Sequence, residues 1–386
     1  MKRTISTIAA GLLFLLPAIS HAQVAITAVP FLQIEPDSRG AGMGNTGVAI
    51  ADNASALFWN PAGLAFQKGT HQASITHSNW LANFQVNDLF YDYVVGKYFV
   101  EGIGTIGAHL TYLNLGEQAQ TREDGPEVIS RFNSYEIALG GSYGYEVNKN
   151  LALGTSLRLI YSSLASGVSG PGISAQKVNP GTSVGLDLSF LYKTDVFALG
   201  GRDARFSVGS NLSNLGPGIQ YTDNAQKDPL PTILRFGWAF DIELDDDGIN
   251  KLTIANDVSK VMARKKQEFG TKADGSPDTT YVAAGPLEAL VKSWDSFERF
   301  DGTKTVNIGL LQQFMIGAGL EYWYADQFAL RGGYYYEDPN NGDREYITFG
   351  AGIRYNFLGV DFSYIKTLES EHPLANTLRF SLLLDF

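Results

Sequence analysis

Three features of the sequence have residue types and spacing that suggest chemistry. Gly42-Met43-Gly44-Asn45-Thr46-Gly47 matches G-x-G-x-x-G, in which glycines let a backbone approach the pyrophosphate of a dinucleotide. That role requires a strand before the glycines and a helix after them in a parallel βαβ unit. Here Pro36-Asp37-Ser38 precedes them and no parallel-sheet pattern surrounds them, so cofactor binding is not expected. Asp245-Asp246-Asp247-Gly248 has the carboxylates of a calcium loop without the EF-hand ligand spacing, and reads as an acidic turn. Beyond the leader the histidines are His71, His77, His109 and His372, none at zinc spacing, and no Gly-x-Ser-x-Gly elbow occurs. His109, among Thr105, Gly107 and Thr111, reads as a polar residue facing an interior. The expectation is no catalytic, metal or cofactor site, and no enzyme.

Composition narrows the class. The chain has no Cys, which excludes disulfides, thiolate metal sites, thiol nucleophiles and a cysteine-linked lipid anchor. A net charge of -11 with no basic stripe argues against nucleic acid. Gly 42, Tyr 19 and Phe 23 with 18% charged residues suit aromatic-rich strands better than helices. Lys2-Arg3, the apolar run Ile8 to Ile19 and Ser20-His21-Ala22 form a secretory leader, so residues 1–22 are expected to be removed. No later segment reaches the roughly 18 apolar residues of a spanning helix. An exported chain of this kind is either soluble or crosses a membrane as a barrel.

Alternating polarity favours the barrel. Leu378, Phe380, Leu382, Leu384 and Phe386 share one face, with Arg379, Ser381 and Asp385 on the other and Leu383 as the exception. Tyr135–Tyr145, Leu151–Tyr161, Val184–Tyr192, Leu234–Ile242 and Ile347–Tyr355 repeat the pattern. Strands of about ten residues or more, aromatic residues at their ends and a small polar second face fit lipid outside and a lumen inside. A soluble sandwich would alternate too, but that second face would make a poor dry core.

The segments are 70–79, 86–99, 103–115, 133–146, 150–163, 182–193, 204–213, 231–244, 250–260, 313–325, 327–337, 344–357, 359–368 and 376–386. The fold class is therefore all-β, a 14-stranded antiparallel transmembrane β-barrel; an even count is what single-chain bacterial barrels have. Short connections near 100–102, 147–149, 245–249, 326 and 358 alternate with longer ones at 116–132, 164–181, 214–230 and 261–312. Because such barrels have short periplasmic turns, both termini are expected in the periplasm and 261–312 outside, in the outer membrane.

Two groups of residues remain as candidate sites. Within the long loop, Pro286 to Phe300 spaces Leu287, Leu290, Val291, Trp294 and Phe297 as on a helix. That helix either rests on the barrel rim or offers a docking surface. Glu136, Arg158, Asp187, Arg235, Asp241, Glu321, Arg331 and Arg354 fall on the inward face. They carry both signs, so they form either a self-satisfied polar network or a grip on a ligand or peptide, not a single-sign selectivity ring.

One stretch fits no strand. In Pro30–Phe66 the glycines Gly40, Gly42, Gly44, Gly47 and Gly63 break any period, as do Asn60-Pro61. Yet Leu57, Phe58, Trp59 and Leu64 need burial, so the segment is expected inside the barrel as a plug, giving a hatch at 23–69 and a barrel at 70–386. Ala51 to Ala65, ADNASALFWNPAGLA, resembles the N-terminal hatch of FadL-like outer-membrane proteins. The lead-in Ser38 to Gly47, SRGAGMGNTG, is similar to that of the PorV (LptO) family of the Bacteroidetes type IX secretion system.

That resemblance implies an outer-membrane protein of protein transport and gliding motility that binds a SprA/Sov-like translocon barrel. It implies recognition of cargo C-terminal domains and delivery to a PorU-like sortase complex. Phe386 matches the aromatic C-terminal residue by which outer-membrane barrels are recognised for assembly. The alternative is a FadL-type channel for long-chain fatty acids or other hydrophobic small molecules, with Leu57, Phe58, Trp59 and Leu64 lining an apolar pocket.

Overall fold

The computed structural model describes residues 27–84, 88–122, 125–165, 178–221, 227–271, 277–300, 304–369 and 372–386. The leader expected at 1–22 lies outside them. Fourteen strands form the wall: β1 Gln72–Asn79, β2 Phe90–Val100, β3 Gly104–Arg122, β4 Gly125–Glu146, β5 Leu151–Ser163, β6 Gly181–Lys193 and β7 Arg202–Leu215. The second half is β8 Ile233–Glu243, β9 Asn250–Val261, β10 Phe314–Tyr324, β11 Phe328–Tyr336, β12 Glu345–Tyr355, β13 Leu358–Thr367 and β14 Leu378–Asp385. Each strand pairs antiparallel with its chain neighbours. β1 closes the cylinder against β14, with Gln72 opposite Asp385 and Ser78 opposite Arg379.

The alternation does what the pattern requires. Leu157, Leu159, Leu320, Leu330, Phe349 and Phe380 stand exposed around the outside, whereas Ser156, Arg158, Glu321, Arg331, Thr348 and Arg379 are buried inside. No helix among the described residues is long and apolar enough to cross a membrane; in a closed barrel with a polar interior, an exposed apolar belt of this kind is the face suited to lipid. Aromatic residues mark both of its edges. Across β1 to β5 runs a row His77, Phe90, Tyr112, Tyr135, Tyr161, with ring centroids 5.8, 5.8, 6.2 and 6.0 Å apart in turn. At the opposite edge Tyr98, Tyr145, Tyr192, Phe328, Tyr355 and Phe386 are exposed.

Three connections differ from expectation. The stretch 116–132 is mostly strand, because β3 and β4 continue as a ribbon beyond the wall. Gly116, at φ +71, provides the bulge from which β3 resumes pairing at Glu117 opposite Asn133. With both faces of the ribbon in solvent, no apolar alternation marks it. The 194–203 connection holds a short strand, Phe197–Leu199, that turns back onto Arg202–Ala204. In the long loop, Lys265–Thr271 pairs with Pro277–Ala283, and the helix covers only Pro286–Lys292. Phe297–Phe300 is a strand paired with Thr305–Ile308, so Trp294 and Phe297 are not helical as the spacing predicts. The β-favouring Phe297 and Phe300 find a cross-strand partner, which the helical period cannot reveal.

Short turns, the start of β1 and the end of β14 share one end of the cylinder; Phe386 donates its N–H to the His71 carbonyl at 3.0 Å. The segment before β1 does not follow that parity. Ala28 donates to the Pro229 carbonyl at 3.0 Å, so the first described residues sit at the long-loop end and the chain then descends through the lumen.

Candidate functional site: the lumenal plug and the outer crown

Pro30–Phe66 folds inside the cylinder as four short turns of helix, Pro30–Gln33, Ser38–Gly42, Ala56–Trp59 and Pro61–Phe66. Local chemistry sets three of the four starts: Pro30 and Pro61 take first-turn positions, Asp37 accepts from the Gly40 N–H at 3.1 Å, and Asn60 accepts from the Ala62 N–H at 3.1 Å. Leu57, Phe58, Trp59 and Leu64 are all buried, as the sequence predicts.

Close backbone approach explains the glycines on both partners. Gly40 and Gly47 lie beneath Trp59, where a Cβ on Gly47 would stand 2.2 Å from the indole ring. Gly44 is left-handed, at φ +66, and rests against glycines of the wall. A Cβ on Gly333 of β11 would stand 2.1 Å from the Gly44 nitrogen, and one on Gly319 of β10 2.3 Å from the Met43 oxygen. Across the lumen, a Cβ on Gly154 of β5 would stand 2.0 Å from the Ala62 nitrogen. The small inward face of those strands is the seat of the plug.

Polar clasps hold that seat. Asp257 of β9 accepts from the Gly47 and Val48 N–H groups at 2.8 and 3.0 Å. Thr348 accepts from the Gly44 N–H and donates to the Gly42 carbonyl, both at 2.9 Å. Ser381 accepts from the Ser38 N–H at 3.1 Å. Asn60, at the Asn-Pro step, donates to the Val48 and Phe190 carbonyls at 2.9 Å each, tying plug to plug and plug to wall. Trp59 donates to Asp37 at 2.7 Å.

The inward charges divide into two networks and three separate groups. Arg331 bonds Glu321 at 2.6 Å and Asp361 at 2.8 Å, and Arg354 bonds Asp361 at 2.7 Å. Arg39 of the plug joins this network, bonding Glu321 at 2.6 Å and also pairing with Asp52. In the second network Arg158 bonds Asp187 at 3.1 Å and His109 at 3.3 Å, and pairs with Asn214. Glu136 accepts from Ser162 at 2.7 Å, Asp241 accepts from Thr253 at 2.7 Å, and Arg235 donates to Ser213 at 2.9 Å beneath the Phe58 ring. Each of these named charges has a partner inside the chain.

Sequence reasoning did not single out Glu35, Asp37, Arg39, Asp52, Asp257 or Asp361, and it placed Arg379 on the inward face without naming it among the lumen charges. Asp257 and Asp361 lie on the inward parity of their strands and are legible from alternation alone. The plug acids and Arg39 carry no such signal, since nothing periodic surrounds them. Asp245, read as part of an acidic turn, accepts from the Ile249 N–H at 2.8 Å. The Asn250 side chain bonds the same carboxyl and holds its pKa below the usual range.

Two spaces border the plug. At the short-turn end a vestibule of about 860 Å³ is lined by Asp52, Lys193, Arg205, Asp241 and Glu321 among others. Beside Phe58 and Trp59 lies a cavity of about 30 Å³ with a mixed lining, Glu35, Arg235, Asp257 and Arg344 together with Ile233, Met315 and Tyr335.

At the other end stands the crown. Helix Pro286–Lys292 buries Ala289 and leaves Leu287 and Val291 72% and 75% exposed, so its apolar edge faces away from the barrel. Leu290 and Phe297 are half-buried and Trp294 is 44% exposed. Cations at the end of β9 anchor the loop: Arg264 stacks on Phe297 at 4.5 Å and donates to the Ser293 carbonyl at 3.1 Å, while Lys260 lies 5.8 Å from the Trp294 ring.

Residues 18–268, well over half of the chain, match the family of Type IX secretion system protein PorV. The chain belongs to the PorV family. Its fold is shared with the toluene transporter TbuX of Ralstonia pickettii, at 13% identity and TM-score 0.51 over 91% of this chain and 98% of that one. The deltaS2S3 mutant of the monoaromatic hydrocarbon channel TodX matches at 12% identity and TM-score 0.51, over 92% and 98%. At that identity the likeness is one of fold, that of a closed antiparallel β-barrel with an N-terminal segment inside. No curated protein matches the chain by sequence. PorV membership makes the protein an outer-membrane component of type IX secretion.

Proposed function

We propose that this PorV-family barrel binds the SprA/Sov-like translocon barrel and the C-terminal domains of secreted cargo, and hands cargo to a PorU-like sortase complex. The carrying observation is the family match over residues 18–268. Two features of the chain support a binding role. The plug is seated backbone-to-backbone on both sides of the lumen, and the crown turns Leu287 and Val291 to solvent. In this reading residues 1–22 are a removed leader, 23–69 the hatch and 70–386 the barrel. The short-turn end, with Phe386, faces the periplasm, and the crown faces outward. The inward charges hold the plug and wall together rather than gripping a ligand.

Deleting 270–305 is expected to spare folding and weaken cargo or translocon binding, because β9 ends at Val261 and β10 begins at Phe314. Leu287→Asp with Val291→Asp should weaken binding in the same direction. Pull-down from solubilised outer membranes reads both variants; unchanged recovery of partners counts against the crown as the docking face. Phe386 is exposed in the short-turn girdle, with its ring 5.8 Å from His71. Removing it, or Phe386→Asp, is expected to lower the folded outer-membrane level severalfold, read by heat-dependent gel mobility. Wild-type levels would remove Phe386 as an assembly signal.

A fatty-acid channel needs an apolar pocket at the hatch. Leu57 instead packs against the wall at Gly107, and the space beside Phe58 and Trp59 is edged by Glu35, Arg235, Asp257 and Arg344. At about 30 Å³ that space holds a water rather than an acyl chain, which disfavours the channel reading.

A further inference from the structure

Two residues on the small cavity between plug and wall each carry a buried acceptor. Asn45 of the plug is 7% exposed and Asp257 of β9 is 4% exposed, and both line the space of about 30 Å³ beside Phe58 and Trp59. The Asn45 amide nitrogen donates to the Glu35 carboxylate and to the Tyr346 hydroxyl, the latter at 2.7 Å. A carboxylate only accepts, so the amide has one workable orientation and Oδ1 is the atom left over. Asp257 likewise spends one oxygen, Oδ2, on the Gly47 and Val48 N–H groups. Neither Asn45 Oδ1 nor Asp257 Oδ1 has a hydrogen-bond partner among the described residues.

The surrounding backbone suits that arrangement. Asn45 sits at φ +63, a left-handed conformation that Asn tolerates better than most residues. Gly237 of β8 leaves room for the second acceptor, since a Cβ there would stand 2.1 Å from Asp257 Oδ1. The cavity also has a donor. Arg235, buried on its wall, gives one N–H to Ser213 at 2.9 Å and holds its guanidinium 5.2 Å from the Phe58 centroid. A guanidinium carries several further N–H groups in a fixed fork.

We propose that this cavity binds a single water, which donates one hydrogen to Asn45 Oδ1 and the other to Asp257 Oδ1 and accepts from Arg235. Volume and charge both select it. About 30 Å³ exceeds the roughly 10–15 Å³ that one water needs and is too little for a molecule of several heavy atoms. A metal cation would suit the two oxygens but not the guanidiniums of Arg235 and Arg344 on the same space, and an anion would meet Asp257 and Glu35. Water alone offers two donors and an acceptor without charge. It ties Asn45 of the plug to the carboxylate that already holds the Gly47 and Val48 amides. The seat at this point is a water-mediated contact, in contrast to the direct backbone packing of Gly44 on Gly333.

X-ray radiolytic labelling of the full chain in nanodiscs reads the site through Met315, which lines the cavity and is buried. Radiolysis turns a bound water into hydroxyl radical beside the side chains it touches, so Met315 is expected to be oxidised despite its burial. Met43, buried in the plug away from this cavity, is the control and should stay unmodified. Brief mixing with heavy-oxygen water before exposure should leave ordinary oxygen on Met315, because an enclosed water exchanges more slowly than bulk. Ser259 also lines the cavity, and Ser259→Val adds a methyl group there. That variant should lower Met315 oxidation to the level of Met43, with the folded fraction unchanged by heat-dependent gel mobility. Unmodified Met315 in the wild type overturns the site, whether or not the variant folds. Heavy oxygen on Met315 as fast as on exposed residues overturns it too, since the radical then comes from bulk solvent. Oxidation of Met315 that is lost on adding sodium or potassium chloride assigns the cavity to a cation and overturns the water.

Discussion

Gly333→Val will displace the plug and leave the wall standing. Gly333 faces inward on β11, and its Cβ would lie 2.1 Å from the Gly44 nitrogen and 2.3 Å from the Met43 carbonyl carbon. Both are backbone atoms, so no side chain can swing aside. Overpacking of this kind costs about 1–3 kcal/mol even where neighbours relax. Here the neighbour is a left-handed turn fixed by Thr348 and Asp257, so relief comes by unseating the segment. The adjacent Gly332 is the control: a Cβ there meets nothing within 4 Å, and Gly332→Val should behave as wild type. Planar-bilayer conductance reads the difference. Open channels for Gly333→Val against closed ones for wild type and Gly332→Val are the expected result; closed channels in all three would contradict a seated plug.

Arg331→Leu is expected to be the most destabilising single change in the lumen. Its side chain is 0% exposed and bonds Glu321, also 0% exposed, and Asp361, 2% exposed. Removing one partner of a buried pair typically costs about 3–5 kcal/mol, because the remaining charge stays desolvated. Glu321 keeps Arg39 and Asp361 keeps Arg354, which places the loss near the lower bound. Urea unfolding of the purified barrel, followed by tryptophan fluorescence, measures it. Glu321→Leu added to Arg331→Leu should recover part of the loss, and strict additivity would show that the two residues do not interact.

Much of this was legible in the sequence. All fourteen wall strands were visible, because each strand needs one lipid-facing row and that row has period two. The parity that put Phe380, Leu382 and Leu384 outside put Arg379 and Ser381 inside, and the same rule placed Arg158, Asp187, Glu321 and Arg331 in the lumen. The ribbon of β3 and β4 was not legible, since solvent on both faces leaves no apolar row. The helix boundary in 286–300 failed for the opposite reason: Phe297 fits a helical period and a strand equally well. The plug was recognisable as a buried segment, and Leu57 to Trp59 announced it. Its course was not. Whether the chain entered the lumen from the short-turn or the long-loop end depended on contacts such as Ala28 with Pro229, which no local pattern encodes. Alternation does not reveal what the wall glycines do: Gly333, Gly319 and Gly154 are sockets for Gly44, Met43 and Ala62.

The central claim is that this barrel works by holding other proteins. Gentle solubilisation from the native outer membrane, affinity capture of the full chain and identification of its crosslinked neighbours test that claim most directly. The account predicts a very large translocon barrel and cargo C-terminal domains, crosslinked through the crown residues Leu287 and Val291. Capture of neither, together with saturable tight binding of long-chain fatty acids by the same preparation, would contradict it.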